Sequence, residues 1–125
     1  MENSTIERRK YPRLNVSFIV KFKIKDNQGN VHSFNADGRD VSAGGLCMEM
    51  ALTDKGMIEK IYKNTCQMDM EIEVPDISHS IRTQGEVMWM REDNNSDILG
   101  VIFKDISESD RGLLSDYVKQ GIATK

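Results

Sequence analysis

The sequence predicts a mainly β fold, a small antiparallel barrel of six strands with one C-terminal α-helix laid against it. Three observations carry that prediction. Apolar and polar residues alternate in six short runs, the period-two signature of half-buried strands. Clusters of Gly, Asn, Asp and Pro separate several of the runs, as turns require. Only near the C-terminus does the period lengthen to that of an amphipathic helix.

The elements follow in order. Residues 1–8 read as a flexible polar arm, residues 9–120 as one domain and residues 121–125 as a tail. Pro12 biases Tyr11 toward an extended backbone. From Val16 a first strand places Val16, Phe18, Val20, Phe22 and Ile24 on one side and mainly Ser17, Lys21, Lys23 and Lys25 on the other. Asp26-Asn27-Gln28-Gly29-Asn30 is a hairpin turn. A second strand, with a weaker apolar face, spans Val31 to Val41. Ser42-Ala43-Gly44-Gly45 breaks the pattern, and Leu46, Met48 and Met50 then alternate with Cys47 and Glu49. Met57, Ile58, Ile61 and Tyr62 fall at helical spacing and predict a short helical turn within Leu52 to Asn64. Strands resume at Gln67 to Val74, Ser80 to Arg91 and Ile98 to Phe103, with turns at Pro75-Asp76 and Asp93 to Ser96. Ile106, Leu113, Leu114, Tyr117 and Val118 share one helical face, Ser107 is the expected N-cap and Asp110 stands in capping-box position. Gly112 weakens that helix by about 1 kcal/mol relative to alanine, so the helix depends on packing against the strands.

Composition narrows the function classes. With 125 residues, 38% hydrophobic and 30% charged, the chain suits one soluble globular domain. No apolar run reaches the roughly 20 residues of a membrane span, and the polar start has no signal-peptide pattern. Cys47 and Cys66 lie in apparent strands without a C-x-x-C spacing, which reads as buried thiols in a reducing cytoplasm. A net charge of −3 argues against general DNA or RNA binding. Against that acidic background, Glu7-Arg8-Arg9-Lys10-Tyr11-Pro12-Arg13 concentrates positive charge. Taken alone, it reads equally as a solvated basic arm. No catalytic set stands out: His32 and His79 have no zinc-ligand spacing, and neither a P-loop nor G-x-S-x-G is present. The chain therefore reads as a binding module without metal or cofactor, not an enzyme.

Two motifs sharpen the reading. Arg9-Lys10-Tyr11-Pro12-Arg13 has the form RxxxR, and Asp40-Val41-Ser42-Ala43-Gly44-Gly45 has the form (D/N)xSxxG. With Gly85-Glu86-Val87-Met88-Trp89, Leu99-Gly100-Val101-Ile102-Phe103 and the Leu114 to Val118 helix, the ordered set resembles the PilZ domain family over roughly Arg8 to Val118. Each motif alone is weak, and Asp-Ser-Gly by itself reads as a plain turn. The resemblance implies a PilZ-like split barrel that binds the bacterial second messenger cyclic di-GMP. The implied ligand-binding residues are Arg8, Arg9, Arg13, Asp40, Ser42, Gly44 and Gly45. Arginine's rigid fork suits phosphate oxygens or the O6 and N7 acceptors of guanine, and its plane can stack on a base. Asp40 can accept from the guanine N1 and N2 hydrogens. Ser42 can bond a phosphate or base edge, and Gly45 allows close backbone approach. An arginine at position 8 implies two mutually intercalated ligand molecules. Trp89, Val101, Phe103 and the methionine-rich strands read as core. The Ala51 to Cys66 connection is longer and more helical than the resemblance implies, whether as a partner contact, a dimer surface or a decorated loop.

Three functions fit. A cytoplasmic receptor would change conformation on binding cyclic di-GMP and signal to an unidentified downstream protein, in motility, exopolysaccharide or virulence control. A nucleotide-independent PilZ-like adaptor would bind protein only. A small barrel for single-stranded nucleic acid would use the basic arm and Tyr11, although only 6% of the chain is aromatic. Titration with cyclic di-GMP separates the first from the other two.

Overall fold

Alternation in the longest apolar run sets the first strand, and the rest of the barrel is built around it. The computed structural model describes residues 11–25, 28–50 and 67–123. Arg8, Arg9, the helical turn expected within Leu52 to Asn64 and the whole Ala51 to Cys66 connection lie outside the described residues. The described elements are β1 (Leu14–Lys25), β2 (Val31–Val41), β3 (Gly45–Met50), β4 (Gln67–Glu73), β5 (Ile81–Asp93), β6 (Ser96–Phe103) and α1 (Glu108–Ala123).

All the strand pairs are antiparallel. In the order β1-β2-β3-β6-β5-β4 they close into a barrel, β4 returning to β1. The expected six-stranded barrel with a C-terminal helix is therefore the observed one. Phe18, Val20, Phe22 and Ile24 of β1 point inward and are buried, while Lys21, Lys23 and Lys25 stay exposed. Met48, Met50, Met68 and Met70 fill the interior, as flexible side chains do in an irregular core. Phe22 also stacks on Phe34, with centroids 5.3 Å apart. Each such side chain contributes about 1.5–3 kcal/mol by leaving water.

Differences from the sequence reading come from bulges and caps. β1 starts at Leu14, two residues before the expected Val16. A register shift between Asn15 and Phe18 restarts the alternation, so Leu14 is buried and Val16 only half-buried. In α1, Leu114 and Val118 are buried as expected, but Leu113 is exposed, because it sits one residue off the narrow packed stripe. Ile106 is buried just before the helix. The Ser107 Oγ accepts the Asp110 N–H at 3.1 Å. The other half of a capping box is replaced, since the Asp110 carboxylate lies 2.9 Å from His79 Nε2. No helix among the described residues is long and apolar enough to cross a membrane.

Candidate functional site

The break after β2 is a hydrogen-bonded turn built by Ser42. The Ser42 N–H donates to the Gly45 carbonyl at 2.9 Å. Its Oγ accepts the N–H groups of Gly44 and Gly45, each at 3.1 Å, and donates to the Gly45 carbonyl at 3.3 Å. A hydroxyl has one hydrogen and two lone pairs, so the turn uses the whole capacity of Ser42. The turn is tied to the barrel by the Phe103 N–H, which donates to the Gly44 carbonyl at 2.9 Å. Both glycines face crowded neighbours. A methyl on Gly44 would come within 2.7 Å of the Tyr11 ring, and one on Gly45 would strike the Val101 carbonyl oxygen. Tyr11 thus packs against the turn, which holds the chain leading to Arg13 beside it.

Strand register aligns a row of residues on the outer face. Asn15 pairs with Asp40, Asp40 with Cys47, Cys47 with Gly100, and Gly100 with Trp89. A bulge at Arg39 sets Asp40 on this face, and Arg39 itself turns to Glu49 at 3.7 Å. The Asp40 Oδ1 is buried and has no hydrogen-bond partner among the described residues. An unpaired carboxylate oxygen shielded from water is costly, and a donor-bearing ligand would relieve that cost. Beside it, burial pushes the Cys47 thiol up from its ordinary pKa, and the Asp40 carboxylate pushes it further. The charges of Arg39, Arg13 and Arg91 pull in the other direction. Cys47 is a free, buried thiol.

Tyr11, Arg13, Ser42, Gly44, Gly45, Met88, Trp89, Gly100 and Ile102 line one hollow of about 280 Å³. That is near the lower end of small-molecule sites. A hollow of this size has room for a base or a phosphate group. Of the residues singled out in the sequence, Arg13, Ser42, Gly44 and Gly45 meet here, and Asp40 stands next to them on the outward row. Met88 and Trp89 have no site role in the sequence reading, and Tyr11 has one there only in the nucleic-acid alternative. Trp89, expected in the core, lies instead on the outer face: a bulge at Met88 shifts the phase of β5. The indole then rests against Gly100, where a side chain would collide with it. Glycine in a strand marks close approach, and Gly100 was the legible signal for this placement.

A larger hollow, of about 740 Å³, is lined by Lys21, Lys23, Asp69, Glu71 and Arg82 among others. Its charges answer one another, with Lys21 3.2 Å from Glu73 and Arg82 3.4 Å from Glu71. The smaller hollow is the better candidate because it gathers Arg13 with the Ser42 turn, and Asp40, whose Oδ1 has no partner among the described residues, stands two residues before that turn.

A family model described as the PilZ domain matches residues 7–120. The Bacillus subtilis inhibitor of motility MotI/DgrA is similar in structure, with TM-score 0.71 and 18% identity over 94% of this chain and 52% of that one. A K. pneumonia MrkH complex with c-di-GMP gives TM-score 0.67 and 15% identity, over 94% of this chain and 55% of that one. The PilZ domain of Escherichia coli YcgR with c-di-GMP gives 0.63 and 13%, over 94% of this chain and 93% of that one. The chain thus spans about half the length of the first two and nearly all of the third. At these identities the likeness speaks to the fold. No curated protein sequence matches the chain.

Proposed function

The chain belongs to the PilZ domain family, and from that premise we propose that it is a receptor for cyclic di-GMP that signals to a partner protein. The observation that carries the reading is the buried, unpartnered Asp40 Oδ1 beside a hollow lined by Arg13 and the Ser42 turn. Structural neighbours described with c-di-GMP support it.

In this reading Asp40 accepts from the N1 and N2 hydrogens of one guanine, a donor pair that adenine lacks. Arg13 offers its fork to a phosphate or to the guanine O6 and N7. Arg9 supplies the second fork. Arg8 would meet a second ligand molecule in an intercalated pair. Ser42 serves chiefly by shaping the turn, since a phosphate contact would have to displace one of its present bonds. Gly44 and Gly45 let Tyr11 and β6 close around that turn. The protein acts by binding rather than by catalysis, in the cytoplasm. Ligand binding changes the surface offered to an unidentified protein in motility, exopolysaccharide or virulence control.

Calorimetric titration with cyclic di-GMP tests the proposal. Wild-type protein should bind saturably, and Arg9→Ala, Arg13→Ala and Asp40→Ala should each lose about 2 kcal/mol or more of affinity. Two ligands per domain, falling to one in Arg8→Ala, would support the pair. A folded wild-type protein that takes up no ligand would leave the nucleotide-independent adaptor as the function.

A further inference from the structure

A crevice of about 480 Å³ separates one flank of α1 from the connection between β4 and β5. Leu14, Ile77, Leu113 and Tyr117 give it an apolar lining. Leu113 is 38% exposed, whereas its neighbour Leu114 is fully buried on the packed side of the helix. Two acids enter the crevice from opposite walls, Asp76 from the β4–β5 connection and Asp116 from α1. Both are exposed, and neither forms an ion pair with another described residue. Elsewhere on the surface Glu49, Glu71, Glu73 and Glu86 each have a Lys or Arg partner. Burial pushes the Tyr117 phenol up from its ordinary pKa, and the Asp76 carboxylate pushes it further. Tyr117 therefore stays neutral, and the charges on the described lining are all negative.

Deepening the receptor reading above and resting on it, we infer that this crevice receives an amphipathic basic helix of the downstream protein. Its apolar side chains lie toward Leu113 and Tyr117, and its Lys or Arg residues stand beside Asp76 and Asp116. Helices dock into apolar grooves through residues at i, i+3, i+4 and i+7. A cationic helix answers both carboxylates, whereas an acidic one meets like charge on either wall. The crevice also adjoins the ligand hollow. Leu14 lines the crevice, and Arg13, the residue before it, lines the hollow. The Leu14 side chain packs on α1 at Gly121, so a ligand that draws on Arg13 moves the lining of the crevice. Cyclic di-GMP thereby changes the affinity for the partner, and the coupling is reciprocal.

The test uses the full chain, isotope-labelled for NMR, and a synthetic amphipathic helix with a leucine stripe edged by arginines. The peptide should saturably shift the backbone amides of Ile77, Leu113, Tyr117 and Gln120. Asp76→Asn combined with Asp116→Asn should weaken it about 2- to 30-fold. Asparagine suits the left-handed backbone of residue 76, where φ is 73°. Leu113→Ala, at an exposed position, should weaken it about 5-fold or more. Glu71→Gln combined with Glu73→Gln removes the same charge from another face and should leave the affinity unchanged. Saturating cyclic di-GMP should change the affinity about 5-fold or more. Shifts centred elsewhere, or no shifts from folded protein, would overturn the inference. An affinity indifferent to the Asp76 and Asp116 substitutions, or to bound cyclic di-GMP, would also overturn it. So would shifts at those amides before peptide is added. Shifts that follow protein concentration would seat a second copy in the crevice, and shifts caused by Arg8→Glu with Lys10→Glu would seat the chain's own basic residues there. Peptide binding in the expected pattern, with no calorimetric uptake of cyclic di-GMP, would overturn the receptor reading alone.

Discussion

A methyl group on Gly45 would strike the Val101 carbonyl oxygen and stand 3.2 Å from the Ile102 Cα. Both obstacles are backbone of the neighbouring strand, which cannot swing aside like a side chain. Glycine at this position therefore serves the β3–β6 pairing, in addition to any closeness it allows to a ligand. Gly45→Ala should destabilise the protein by about 1–3 kcal/mol, read as a lower denaturation midpoint in urea. A midpoint equal to the wild type would show that the strands part easily there. Ser42 carries a related lesson. Its place in the motif was legible, but its role was not, because hydroxyl bonds are spent only once the turn is formed. Asp40 was legible as an acceptor, and the bulge that buries its Oδ1 was not, since Arg39 leaves no mark in the alternation.

At the scale of elements, period-two patterning located the described strands, but β5 runs two residues past the expected Arg91 and β6 starts two before the expected Ile98, paired up to a tight turn at Asn94 and Asn95. β2 runs from Val31 to Val41 as expected. Errors of phase arose at bulges, which add a residue without changing composition. One of them turned Trp89 outward, and another left Val16 half-buried. The helix shows the reverse case, a cost visible in both sequence and structure. Gly112 is exposed, and a side chain there would meet nothing within 4 Å. Gly112→Ala should stabilise the protein by about 1 kcal/mol through helix propensity alone, seen as a melting temperature raised by several degrees. An unchanged or lower melting temperature would mean that α1 draws its order wholly from packing around Leu114 and Val118. That packing reaches the site from behind. The Leu14 side chain, next to Arg13, lies where a side chain on Gly121 of α1 would have to go.

The whole molecule is a closed barrel whose two candidate-site segments come from one end of β1 and from the β2–β3 turn, with β6 and β5 completing the wall. Barrel closure was legible because six alternating runs with one amphipathic helix admit few other packings. The juxtaposition of RxxxR with (D/N)xSxxG was legible only through resemblance to a family, since nothing local in the sequence says that Tyr11 will lie on Gly44. The candidate side of the molecule was legible through that same resemblance, because Arg13, Ser42, Gly44 and Gly45 line one hollow; the buried, unpartnered Asp40 Oδ1 near it is a property of the assembled fold. Heteronuclear NMR of the full chain, with cyclic di-GMP added stepwise, tests the central claim most directly. The account predicts saturable shifts in the backbone amides from Asp40 to Cys47, at Arg13 and at Gly100. The amides of Lys21, Lys23, Asp69 and Glu71 should stay still. Shifts centred on that second group, or no shifts at all from folded protein, would contradict it.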